Sequence, residues 1–134
     1  MDRDVPFDPV VDGEAVTAVR AATDDTVFSV VEYTTDDLHV AYVSEATRAL
    51  YDDETDMYGH FDRIHSYVNL DIAEIALFTD DLFPFADDAR FITTALDTGK
   101  MVRVYVSDKR GVFIGLEPAA TVEPIVDALL NAVG

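Results

Sequence analysis

The chain contains no cysteine, which excludes disulfides, thiolate nucleophiles and Cys-based zinc or iron–sulfur sites. Lysine is almost as scarce: only Lys100 and Lys109 occur among nine basic residues. A surface so poor in cations repels nucleic acid. No segment approaches the ~18 uninterrupted apolar residues of a membrane span, and the opening MDRDVPFDPV lacks the basic stretch followed by an apolar run that marks an export signal. The expectation is a cytoplasmic protein with no membrane partner. The six glycines form no GxGxxG, Walker-type or GxSxG pattern, and the aspartates never take the alternating oxygen-ligand spacing of an EF-hand loop. No cofactor or metal is expected.

What the chain has in excess is negative charge. Its net charge is -18, with twenty Asp against seven Glu. An acidic disordered tail would concentrate charge in blocks, but here short Asp pairs alternate with apolar runs and 49% of residues are hydrophobic, so a packed core is expected. In dilute buffer the self-repulsion works against compactness, and at about 1 M salt the Debye length falls to roughly 3 Å and most of it vanishes. Asp-rich, Lys-poor composition resembles that of proteins from salt-in haloarchaea. At 134 residues one domain suffices to bury a core. Residues 1–11, with Pro6 and Pro9 and no sustained period, read as a flexible or loosely docked N-terminal arm, and residues 12–134 as a single domain.

The most legible stretch is Ala89–Leu116. In Met101–Val106, Val102, Val104 and Val106 share one face and Met101, Arg103 and Tyr105 the other, which is a strand with one core face. Asp97-Thr98-Gly99-Lys100 before it and Ser107–Gly111 after it read as turns, with glycine expected at positive φ, so three strands form an antiparallel meander. Upstream, Asp12 caps a helix to about Thr23, and Thr26–Thr34 and Leu38–Val43 form a hairpin across Thr35-Asp36-Asp37, with Val27, Val31 and Tyr33 on one face. Ser44 caps a short helix, and Asp53 starts a longer one with stripe Met57, Phe61, Ile64 and Val68. Asn69 is expected to interrupt it, leaving a second segment from Leu70 to about Thr79 that is apolar on more than one face and reads as buried. Pro124 fits the first turn of a closing helix. The fold class is α+β, one five-stranded antiparallel sheet with helices packed on it, in the order α-β-β-α(α)-β-β-β-α.

That succession, over Asp12–Val133, resembles the roadblock/profilin-like group. The resemblance implies a non-catalytic module that dimerises through a helix and a sheet edge and regulates small GTPases or motors. The leading expectation is therefore a non-enzymatic interaction or regulatory adaptor module from a salt-adapted cytoplasm, with a protein partner or a second copy of itself.

Candidate contacts follow from two departures in composition. Lys100, Arg103, Lys109 and Arg110 crowd into eleven positions of the meander, either as an anion or partner patch or as edge protection and cross-strand pairs. Phe83 and Phe85 place aromatics in a linker, as a core cap or a partner contact. An alternative is a small-molecule-sensing domain with Tyr33, Tyr42, Tyr105 and Arg103 lining a pocket. A third is an enzyme using an Asp/His helix. His60 and His65, five residues apart, are separated by about 140° around a helix and miss the i, i+4 spacing of paired zinc ligands, while Asp56 and Asp62 stand at neighbour spacing to them. His39, in a strand, reads as a surface or cross-strand residue.

Overall fold

The computed structural model describes residues 7–134. Helix α1 (Gly13–Ala21) precedes the hairpin β1 (Val27–Thr34) and β2 (Leu38–Val43). Helices α2 (Glu45–Arg48) and α3 (Glu54–Leu77) and a π-helical turn (Phe78–Leu82) lead through a linker into β3 (Phe91–Ala95), β4 (Lys100–Ser107) and β5 (Arg110–Leu116). Helix α4 (Val122–Val133) closes the chain. The five strands form one sheet in the order β2-β1-β5-β4-β3, antiparallel at every pairing. The expected fold class and element order hold.

Local chemistry starts the helices where the sequence placed them. Asp12 accepts from the Ala15 amide at 2.9 Å, Ser44 from Thr47 at 3.1 Å, and Asp53 from Asp56 at 2.8 Å. Each carboxylate or hydroxyl satisfies a first-turn N–H that has no partner within its helix.

Helices cover both faces of the sheet. On one, Ala15 and Val19 of α1 and Ile125, Val126 and Leu129 of α4 close over Val30, Val102, Val104, Val112, Ile114 and Leu116. On the other, Met57, Phe61 and Val68 of α3 pack on Val31, Tyr33, Leu38 and Phe113. Strand alternation delivers both sets: Val102 and Val104 go to the first core, and Met101 goes to the second, as expected. In β1 the alternation breaks. A register shift against β5 between Val27 and Ser29 puts Val27 in the first core beside Val30, whereas Val31 and Tyr33 face α3. A bulge inserts one residue and flips the faces that follow.

Three further expectations are corrected. Helix α3 runs through Asn69 without a break, because the Asn69 side chain donates outward to the Thr35 carbonyl at 3.0 Å and so does not compete for its own backbone. Its second half is not buried: Leu70 and Leu77 are exposed, and no residue beyond Val68 is core. Neither Gly99 nor Gly111 has positive φ. Their role is close approach: a Cβ on Gly99 would lie 2.9 Å from the Leu116 carbonyl oxygen, and one on Gly111 2.6 Å from the Tyr33 ring.

The arm expected over residues 1–11 lies partly outside the described residues, in 1–6. From Phe7 onward the chain is docked. Val11 is core, and the amides of Val10 and Val11 donate to Glu32 Oε1 at 3.0 and 2.9 Å. Glu32, with 0% exposure, also accepts from Arg110 at 2.8 Å through Oε2. The same Arg110 nitrogen donates to the Asp8 carbonyl at 2.8 Å, and its guanidinium lies 5.1 Å from the Phe7 ring centroid.

Candidate functional site

The sheet has an open edge at β3. Because the Tyr105 amide donates to the Arg90 carbonyl and the Leu96 amide to Gly99, antiparallel alternation turns the backbone groups of Phe91, Thr93 and Ala95 outward. Beside that edge lies an aromatic cluster. Phe78 and Phe83 are stacked with centroids 6.3 Å apart, and Phe85 meets Phe83 edge-on at 6.0 Å. Phe85 is 84% exposed, and Leu70, Leu77, Phe78, Leu82, Phe83 and Leu96 are exposed with it. Ile75, Phe78, Phe83, Phe85, Phe91 and Ile92 line a shallow apolar cup of about 320 Å³. The second half of α3, the linker and β3 thus present one apolar surface next to unpaired backbone. Its apolar residues on α3 were legible as a segment apolar on several faces, but that signal reads equally as burial.

The four basic residues of the meander do not form a patch. Lys100 donates to the Ala120 carbonyl at 2.7 Å and Arg110 is tied to Glu32, both on the α1/α4 side. Arg103 is on the α3 side and 9% exposed. It donates to Asp71 Oδ2 at 3.0 Å, Thr94 Oγ1 at 2.6 Å and the Met101 carbonyl at 3.1 Å. Lys109 is exposed in the β4–β5 turn. Three of the four cations already have partners, each in a different place.

The three tyrosines also separate. Tyr42 lies on the α1/α4 side, with the Arg20 guanidinium 4.7 Å from its ring centroid. Tyr33 and Tyr105 both flank Gly111 in register, on the α3 side. Both hydroxyls are shielded from solvent without a hydrogen-bond partner among the described residues. Burial pushes the pKa of Tyr33 up, reinforced by Tyr105 and Asp71 and partly opposed by Arg103. Burial does the same to Tyr105, with Asp71 adding and Arg103 opposing. Of the proposed pocket residues Tyr105 lines a groove of about 680 Å³ and Tyr42 a separate one of about 510 Å³ beside the end of α1, while Tyr33 lines neither, so the three do not converge on one pocket.

Both phenols are therefore held neutral, with a definite consequence in alkali. In each the folded pKa is above the unfolded value of 10.0, so the unfolded chain releases its protons first. Their contribution is complete below pH 10 and is lost as pH rises above it. Urea denaturation from pH 8 to 11 should show stability falling above pH 10, with Tyr33→Phe removing part of the fall. At neutral pH Tyr33→Phe should be neutral to stabilising by up to about 1 kcal/mol, since it deletes a buried unpaired hydroxyl. A loss of more than about 1 kcal/mol at neutral pH would mean that the hydroxyl has a partner.

The histidines do not share a site. His60 is exposed and pairs through Nδ1 with the Tyr51 hydroxyl at 2.7 Å. His65 is buried, with Nε2 2.7 Å from the Thr34 carbonyl, a contact in which the ring N–H donates, and its ring is edge-on to Tyr33. His39 meets Phe7 edge-on at 6.4 Å. Among the described residues no group of three or more His, Asp or Glu is placed to hold a metal, and no helix is long and apolar enough to cross a membrane.

Element order, sheet order and helix placement can be compared with solved structures. The chain superimposes on a Roadblock/LC7 domain from Streptomyces avermitilis with a TM-score of 0.56, over 91% of this chain and 92% of that one, at 10% identity. The fold is roadblock-like. MglC from Myxococcus xanthus aligns over 90% of this chain and 93% of its own at 10% identity, with a TM-score of 0.46. No protein-family model matches the sequence, and no curated protein matches it. The roadblock-like arrangement puts α3 on one face of the sheet and leaves β3 as an edge, which is where this chain concentrates its exposed apolar side chains.

Proposed function

We propose that this roadblock-like domain is a non-enzymatic interaction module that associates with a second copy of itself and serves as a regulatory adaptor in a salt-rich cytoplasm. The observation that carries the reading is the exposed apolar surface of Leu77, Phe78, Leu82, Phe83 and Phe85 beside the open β3 edge. Apolar surface of this kind next to unpaired strand backbone is a pairing site: an added strand satisfies the outward groups of Phe91, Thr93 and Ala95, and the aromatic rings lose water. A second copy supplies the same edge and the same rings, as a two-fold interface requires. High salt favours the association, because it screens repulsion between two chains of net charge -18 while leaving apolar burial intact.

Sedimentation velocity in ~1 M and higher KCl tests it. The wild-type chain should sediment as a dimer at the highest soluble concentration and dissociate on Phe83→Asp with Phe85→Asp. Both side chains are exposed, so the double variant should keep its stability within about 1 kcal/mol. A wild-type monomer at every concentration, indistinguishable from the variant, would end this reading.

A further inference from the structure

The groove of about 680 Å³ opens between the second half of α3, the linker before β3, the end of β4 and α4. It differs in chemistry from the apolar cup nearby. Half-buried Ile72, Ile75, Val106 and Leu130 form its floor, and exposed Asp80, Asp87, Asp88 and Asp108 stand around its rim. None of these four carboxylates makes an ion pair or a side-chain hydrogen bond with another described residue. Among the described residues Arg90 is the only cation lining the groove, and its guanidinium is bonded to Asp127. Lys109, next to Asp108 in the turn, does not line it. Glu74 adds negative charge close enough to act on Tyr105, whereas Asp71 is neutralised by Arg103. An apolar floor ringed by unneutralised carboxylates is complementary to an apolar body carrying cationic groups.

Deepening the interaction-module reading, on which it rests, we infer that this groove docks a basic amphipathic segment of a partner protein, its apolar side chains on the Ile72–Val106–Leu130 floor and its Arg or Lys heads against Asp80, Asp87, Asp88 and Asp108. General acidity does not explain such binding. At about 1 M salt, screening over roughly 3 Å leaves only contact ion pairs and apolar burial, and this groove offers both together. The floor sets the requirement that the segment be amphipathic rather than merely basic.

Fluorescence anisotropy with the full chain in ~1 M KCl decides the matter, using labelled peptides that alternate Leu with Arg, Gly with Arg, and Leu with Glu. The Leu/Arg peptide should bind, and the other two should bind at least ~10-fold more weakly. Asp87→Asn with Asp88→Asn should weaken the Leu/Arg peptide about 10-fold, and Asp87→Lys with Asp88→Lys should shift preference toward the Leu/Glu peptide. These side chains are exposed, and a thermal melt of each variant confirms the fold. Equal binding of the Leu/Arg and Gly/Arg peptides would reduce the effect to bulk acidity and overturn the inference, as would equal binding by wild type and the Asn variant. Spermidine binding without peptide binding would make the groove an amine site and overturn the protein occupant. Loss of peptide binding with Phe83→Asp and Phe85→Asp, which line the neighbouring cup, but not with Asp87→Asn and Asp88→Asn would transfer the peptide to the apolar cup and overturn the inference. Failure of the peptides while the dimer persists would overturn this inference and leave self-association standing.

Discussion

Glu32→Ala should cost about 3–5 kcal/mol, the loss typical when one partner of a buried ion pair is removed. The carboxylate is fully buried and holds three groups: the amides of Val10 and Val11 and the Arg110 guanidinium. Deleting it leaves two N–H groups unsatisfied and a mostly buried cation facing a cavity. The loss should therefore exceed that of Arg110→Met, after which the carboxylate keeps both amides. Glu32→Gln should fall between, because its oxygen still accepts from Val11 but its NH₂ group cannot accept. The damage should spread to residues 7–11, since Val11 is core and Arg110 holds the Asp8 carbonyl. Urea unfolding in high KCl gives the magnitude, and amide exchange of Val10 and Val11 gives the location. A loss under about 1 kcal/mol, with those amides still protected, would be that of an ordinary exposed pair and would rule out the clasp.

The second large effect is steric. Gly111→Ala should cost at least about 2 kcal/mol and Gly111→Val more, at or beyond the upper range for overpacking a core. A Cβ there would lie 2.6 Å from Tyr33 Cζ and 2.9 Å from Cε1. The ring has no room to retreat, with His65 edge-on at 5.8 Å and Phe113 at 5.7 Å. Since Gly111 does not adopt positive φ, backbone conformation is not the obstacle. In a Tyr33→Leu background, Gly111→Ala should cost about 1 kcal/mol or less, and a double-mutant cycle in urea measures the difference as coupling. Equal costs in both backgrounds would rule out the ring as the cause.

Much of this architecture follows from short-range pattern. Period-two alternation at Met101–Val106 assigns each side chain to its face, and Asp12, Ser44 and Asp53 mark helix starts because a side-chain oxygen three residues ahead of a free amide must satisfy it. Errors arose where two physical readings share one pattern. The segment Leu70–Phe78 is apolar on several faces whether it lies inside a core or presents a contact surface, and periodicity is blind to what lies opposite. Asn69 is a helix breaker only if its amide turns back on its own backbone, and here the Thr35 carbonyl takes it. Glycine in a turn predicts positive φ, but at Gly111 the demand comes from a ring on the neighbouring strand.

The candidate site was legible in part. Phe83 and Phe85 stood out as aromatics in a linker, and they are exposed. The basic cluster of the meander dissolved, because alternation sends Lys100 and Arg103 to opposite faces and the turn carries Lys109 away from both. Glu32 carried no sequence signal: an acidic residue inside an apolar strand reads as a solvent-facing position, and its partners are 21 and 78 residues away.

By itself the sequence determined the order of elements, the caps, the alternating core faces of β4, and a net charge of -18, since each depends on residues within a few positions of one another or on a simple sum. Tertiary structure alone decided where β1 changes face, which cations are free, what Glu32 holds, why Gly111 must lack a side chain, and which apolar residues stay in water. Those outcomes depend on register shifts and on contacts between distant segments, which exist only once the sheet has closed on its helices.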